Sequence, residues 1–148
     1  MAQQTHTPVK IELKTTVWQD GEQETFELVL FGRYYKKEDA IYLQYEEVQE
    51  EGTIHSVVKV KEYEAVILRK GAVNMRMSFS KKEEMPGSYE SPFGTMLLTT
   101  KTDVLSWEQN EEDTLEGAIR LKYHLHSHGS YVGTYDLSIT YKEAKSSK

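Results

Sequence analysis

Apolar and polar residues alternate with a period of two along most of the chain, the mark of strands that bury one face. Over residues 9–18, Val9, Ile11, Leu13, Thr15 and Val17 alternate with Lys10, Glu12, Lys14 and Thr16. Asp20-Gly21 follows, a pair that accepts the positive φ of a tight hairpin turn. Residues 25–36 put Phe26, Leu28 and Leu30 on one face and Val29, Phe31 and Tyr35 on the other, which predicts a strand covered on both sides over its middle. After Lys36-Lys37-Glu38-Asp39, Ile41, Leu43 and Tyr45 share a face, and an acidic stretch ending in Gly52 forms the next loop. Two β-branched runs, 54–61 and 63–70, meet at a polar turn near Lys61-Glu62.

The cleanest alternation follows Lys70-Gly71: Val73, Met75, Met77 and Phe79 point one way, Asn74, Arg76 and Ser78 the other. Residues 81–87 read as a polar connector, and Tyr89 to Thr100 as a strand region with a bulge or edge at Pro92 and Gly94. A shorter strand spans 103–109. Leu115, Gly117, Ile119, Leu121, Tyr123 and Leu125 line one face of the next, and Tyr131, Gly133, Tyr135, Leu137, Ile139 and Tyr141 one face of the last. Gly117 and Gly133 relieve crowding where these strands bend. The period of 3.6 never outcompetes alternation, so no helix is predicted. About ten strands with short connections pair in sequence order, and closure removes the edges such a sheet would expose. The prediction is an antiparallel up-and-down β-barrel of about 8–10 strands over residues 9–142, between flexible tails at 1–8 and 143–148.

Composition agrees. The 148 residues suit one domain, and ten Tyr against four Phe and two Trp favour half-buried strand positions. A formal net charge of −6 argues against nucleic-acid or anionic-membrane binding. The absence of cysteine excludes disulfides, thiol catalysis and thiolate metal sites. The first eight residues lack the apolar core of a signal peptide, and no run approaches the roughly 20 apolar residues of a membrane helix, so a cytoplasmic protein is expected.

The order Ile41-Tyr42-Leu43-Gln44-Tyr45-Glu46-Glu47, Arg69-Lys70-Gly71, Met77-Ser78-Phe79 and Tyr89-Glu90-Ser91-Pro92-Phe93-Gly94 resembles the YwiB-like family, small bacterial proteins of unknown function. The likeness runs over roughly residues 9–142 and takes in the tyrosine-rich closing strands. It implies a lipocalin-like, calycin-type barrel with room for an interior cavity; it implies no activity.

Three groups of residues carry candidate chemistry. His124, His126 and His128 share one strand face, successive rings about 6.6 Å apart, a spacing from which two imidazoles can reach one zinc ion if a neighbouring strand adds a ligand. They share that face with Glu116, Arg120 and Lys122, which makes it the solvent side. Arg69, in phase with Ala65 and Ile67, enters the interior and needs either an anionic ligand or a carboxylate such as Glu46 or Glu47; Asn74, Arg76 and Tyr89 stand near it. Tyr89 to Gly94, with Phe93, forms a rim segment. No nucleophile elbow, phosphate loop or dinucleotide fingerprint is present, so neither catalysis nor a cofactor is indicated.

The leading expectation is therefore a small or anionic ligand held among Tyr45, Met75, Met77, Phe79, Tyr123 and Tyr135 with Arg69 as anchor. The rival is a non-enzymatic interaction or structural module, monomer or homodimer, acting through a strand edge or the outer face of Val29, Phe31 and Tyr35.

Overall fold

The structure, a computed structural model, describes residues 6–144. Residues 1–5 and 145–148, most of the two tails expected to be flexible, lie outside the described residues. The strands are β1 (Thr7–Gln19), β2 (Glu22–Lys37), β3 (Ala40–Gln49), β4 (Gly52–Lys61) and β5 (Glu64–Gly71), then β6 (Asn74–Ser80), β7 (Met85–Ser91), β8 (Gly94–Asn110), β9 (Glu116–Ser127) and β10 (Ser130–Glu143). Each pairs antiparallel with its sequence neighbours, and β10 returns to β1, closing a ten-stranded barrel. The strands reach beyond the expected domain at both ends, since Thr7 pairs with Tyr34 and Glu143 with Val9.

Alternation decides which side chains fill the barrel. Val9, Ile11, Ile41, Leu43, Val58, Val60, Phe79, Ile139 and Tyr141 are fully or almost fully buried inside it. Phe79 packs on Tyr123, with ring centroids 4.7 Å apart, and Tyr123 stacks on Tyr135 at 5.2 Å. Where β7 is short, β6 reaches β8 directly: the buried Thr100 hydroxyl donates to the Ser78 carbonyl at 2.6 Å. Odd-numbered hairpins, from β1–β2 to β9–β10, turn at one end of the barrel. Even-numbered ones turn at the other.

Two departures from the sequence reading share one cause. The segments read as separate strands around 89–100 and 103–109 are β7, a turn, and one 17-residue strand, β8. Its inward row passes from Leu98, Thr100 and Thr102 to Leu105, Trp107 and Gln109 through a bulge at Asp103. A bulge inserts one residue and reverses the phase, which looks like a strand break in the sequence. A second bulge, between Tyr131 and Gly133, puts Tyr131 opposite His126 on the outer wall rather than on the inner row with Tyr135. Residues 85–87, read as connector, belong to β7; Gly87 lies against β6, where a Cβ would come within 2.7 Å of the Arg76 carbonyl.

The buried tyrosines set an alkaline limit. Burial, reinforced by Glu47 and opposed by Arg69, pushes the Tyr45 phenol up to about 12, and burial also raises Tyr123 and Tyr141. The folded protein therefore keeps these protons after an unfolded chain, ionising near pH 10, has lost them. This contribution to stability is complete below about pH 10 and is lost as pH climbs through the raised values. Phenolate absorbance is expected to show one group of tyrosines titrating late and together with unfolding; ten ordinary titrations would contradict it.

Candidate functional site

Two seams of the barrel are incomplete: β7 meets β8 only as far as Met85 opposite Thr100, so Lys101–Asn110 of β8 pair with β9 alone among the described residues, and β2 parts early from β3. β2 pairs with β3 only from Gly32, opposite Tyr45, to Lys37, opposite Ala40. Towards the odd-hairpin end, Glu22 to Phe31 of β2 pair with β1 on one side and, among the described residues, with no strand on the other. The reason lies in the hairpins. β1–β2 stays paired out to Gln19 and Glu22, while β3 follows β4 out to Gln49 and Gly52, so the two ribbons part beyond Gly32 and Tyr45. Alternate backbone amides and carbonyls along Glu22–Phe31 are left facing the gap.

The apolar side chains at this edge are wet on both faces. Phe31 is 70% exposed and Val29 55%, so the outer cover expected over this strand is absent, whereas Tyr35 is stacked between Tyr42 and His6. Phe26, on the inward row, is still 55% exposed because the barrel opens here. Behind it, Val17 and Tyr135 floor a cavity of about 310 Å³ rimmed by Asp20, Glu22 and Glu24. At the closed end of the gap lies a second cavity of about 490 Å³, bordered by Phe31, Tyr45, Glu46, Ser56 and Val57. Ser56 is 1% exposed and stands opposite Tyr45 on the inward row. A larger groove, about 610 Å³, lies on the outer wall of β8, β9, β10 and β1 among mixed charges such as Lys10, Glu12, Glu116 and Lys142.

The residues named from the sequence divide between two faces. Tyr45, Arg69, Met75 and Tyr89 form one inward row across β3 to β7, interrupted by Ser56. Arg69 holds Glu47 at 3.1 Å with both side chains mostly buried, so its partner is a carboxylate of the chain itself. Asn74 and Arg76 stand on the outer row, not with the interior set; Asn74 bonds the Gly71 backbone across its turn. Phe93, at the tip of the β7–β8 hairpin, is 99% exposed.

The histidine row is on the outer wall, and its members do not converge. A carboxylate can only accept, so His124 Nε2–H donates to Asp103 at 2.7 Å, and Nδ1 is hydrogen-bonded to the Thr134 hydroxyl at 2.8 Å. Tyr131 OH completes the chain at 2.6 Å from Thr134 Oγ1. Both His124 nitrogens are thus engaged, His126 sets its ring edge-on to Tyr131, and His128 lies in the β9–β10 turn at φ 50°. Among the described residues no three His, Asp or Glu side chains are placed to hold an ion. The network ties β8, β9 and β10 together, and the two bulges aim Asp103 and Tyr131 into it. Sequence reading missed Asp103 and Thr134, since only a bulge brings the first beside His124.

The Arg69–Glu47 pair gives a direct test of the inner row. Arg69→Met is expected to cost roughly 1–3 kcal/mol, the penalty for a partly buried carboxylate left without its donor. Adding Glu47→Leu should restore part of the loss. Urea unfolding of the two single variants and the double checks this; strictly additive losses would show that the side chains do not act as a pair.

Fold and site together define a small all-β protein: a closed ten-stranded barrel whose β2–β3 seam is unzipped at one end. The chain belongs to the family described as Domain of unknown function (DUF1934), which it matches over residues 11–139. It is 32% identical over 136 residues to the uncharacterized beta-barrel protein YwiB of Bacillus subtilis (strain 168), covering 92% of this chain and 94% of that one. The crystal structure of the ywiB protein from Bacillus subtilis matches with a TM-score of 0.83 at 31% identity, over 95% of this chain and 94% of that one. The family resemblance read from the strand motifs is thereby established. No helix among the described residues is long and apolar enough to cross a membrane.

Proposed function

We propose that this protein is a non-enzymatic interaction module that binds an extended partner segment by adding a strand to β2. The supporting observation is the edge from Glu22 to Phe31, paired on one side only and flanked by exposed Phe26, Val29 and Phe31. An open edge carries unmet backbone donors and acceptors and invites pairing with another chain. Natural sheets blunt such edges with lysine, proline or a covering loop, and strand addition is an established mode of peptide recognition. Residues 22–31 contain neither lysine nor proline; their charges are Glu22, Glu24 and Glu27, and the stretch from Leu28 to Phe31 has none.

Two observations favour this reading over a ligand cup. The interior below the mouth is packed with Phe79, Tyr123, Ile139 and Tyr141, and Arg69, the expected anchor, is already held by Glu47. Hydrogen exchange tests the proposal. Amides of β2 that face the gap are expected to exchange fast in the free protein. They should slow when a short alternating Val-Thr peptide is added, and remain fast with its N-methylated counterpart, which cannot pair. Exchange already as slow as in β9 without peptide would mean that the edge is not open, and the proposal would fail.

A further inference from the structure

The edge is not chemically uniform along its length, and the asymmetry specifies the partner. Its inward row reads Glu22, Glu24, Phe26, Leu28 and Leu30; its outward row reads Gln23, Thr25, Glu27, Val29 and Phe31. The half nearest Gly32 is apolar, and the half nearest the β1–β2 turn is acidic. Asp20, Glu22 and Glu24 rim the cavity of about 310 Å³ whose floor is Val17, Phe26 and Tyr135. None of these three carboxylates takes part in an ion pair among the described residues. Across the gap, Glu50 and Glu51 at the β3–β4 turn are equally without one, whereas Glu46 and Glu47 hold His55 and Arg69. Lys10 and Lys14, on β1 opposite Phe31 and Glu27, and Arg33, beyond the closed end, are the cations nearest β2's open stretch; all three stand on the outward row, and none is directly opposite Glu22 or Glu24.

Resting on the strand-addition reading, we infer that the partner is a basic extended segment: an apolar stretch followed by lysine or arginine at alternate positions. Directly opposed residues in an antiparallel pair point to the same face. A strand laid antiparallel on β2 therefore places every second side chain over the inward row. Those opposite Leu30, Leu28 and Phe26 meet apolar neighbours. The next two inward-facing ones, further along the partner, lie opposite Glu24 and Glu22, at a cavity with carboxylates on its rim and aromatic rings on its floor. That combination suits an ammonium or guanidinium group, which gains from the carboxylates and from the ring faces together. The cavity at the gap's other end is mixed, with Phe31 and Val57 beside Arg33, Gln44, Glu46 and His55, and selects less sharply. A second copy of this chain satisfies only part of the edge: with Leu28 opposite Leu28, Phe26 meets Leu30, but Glu22 and Glu24 are left without a partner, and with Phe26 opposite Phe26 Glu24 faces Leu28 and Glu22 faces Leu30.

The test uses three capped peptides on the full chain: Val-Thr-Val-Thr-Val-Thr-Lys-Thr-Lys and versions with both lysines replaced by glutamine or by glutamate. Hydrogen exchange at β2 locates binding, and calorimetry at two salt concentrations measures it. The lysine peptide is expected to bind about tenfold tighter than the glutamine peptide, to weaken as salt screens the charges, and to lose that advantage on Glu22→Gln/Glu24→Gln. The glutamate peptide should bind worst. Equal binding of all three at β2 would overturn the charge assignment and leave strand addition standing. Self-association through β2, broken by Phe31→Glu, would also overturn it, with a second copy as the occupant. Failure of every peptide to protect β2 would overturn both.

Discussion

A Tyr141→Ala variant is expected to lose about 3–5 kcal/mol of stability, the range for deleting a large aromatic side chain from a packed interior. Tyr141 is among the most fully buried side chains, and it fills the barrel's even-hairpin end. Its ring stacks on Tyr34 with centroids 5.7 Å apart. It lies so close to Gly117 that a Cβ there would run into the ring, so the neighbouring strand has been cut back to admit it. The hydroxyl carries a separate share. Trp107 Nε1–H donates to it at 2.9 Å, it donates to Gln109 Oε1 at 2.7 Å, and Gln109 Nε2 passes the chain to Tyr34 OH at 3.0 Å. Tyr141→Phe keeps the ring and strands Trp107 and Gln109, at a cost of roughly 1–3 kcal/mol. Urea unfolding should therefore rank parent, Phe and Ala variants in that order. A Phe variant as stable as the parent would show that water replaces the hydroxyl without loss, and an Ala variant within about 1 kcal/mol would show that this end is not close-packed.

The same strands show what alternation can and cannot reveal. Val9, Ile11, Ile41, Leu43, Met77, Phe79, Ile119, Leu121 and Ile139 point inward as the period of two requires, because burial on one face is a local property of the sequence. Phase is lost at a bulge. Asp103 and the Tyr131–Gly133 step each insert one residue, so Tyr131 moved to the outer wall, and what read as two strands became β8. The functional reading suffered from a different limit. That Arg69 reaches inward was legible from its phase, and Glu47 stood among its named alternatives; the choice between carboxylate and ligand needed coordinates. The apolar outer face of Val29 and Phe31 was legible too, but not that it is uncovered, because this depends on where β3 leaves β2. A seam's length is set by two hairpins diverging, a relation between segments that pairing patterns within either one do not contain.

Gly32→Ala acts on that seam directly and is expected to cost at least the 1–3 kcal/mol typical of overpacking. A Cβ at this position would collide with the Gln44 carbonyl oxygen, with Ile11 Cδ1 at 2.9 Å and Tyr45 Cβ at 3.1 Å. The Ile11 methyl can rotate aside; a strand carbonyl cannot move without disturbing the ladder it belongs to. β2 must therefore lift from β3, and the first pairs to go are Gly32 with Tyr45 and Arg33 with Gln44, which end the zipped stretch. The unzipped length then grows from Phe31 towards Lys37, while the β1–β2 pairs behind it persist. Hydrogen exchange separates this from general destabilisation. Amides in residues 32–37 and 40–45 should become faster than those of β9 by more than the global loss accounts for. The lysine peptide should still bind, because the edge from Glu22 to Leu30 keeps its side chains and its open backbone. Uniform acceleration across the barrel would mean that the seam is no weaker than the other strand pairs. In that case the parting of β2 and β3 at Gly32 is held by the two outer ribbons rather than by the close approach of their backbones.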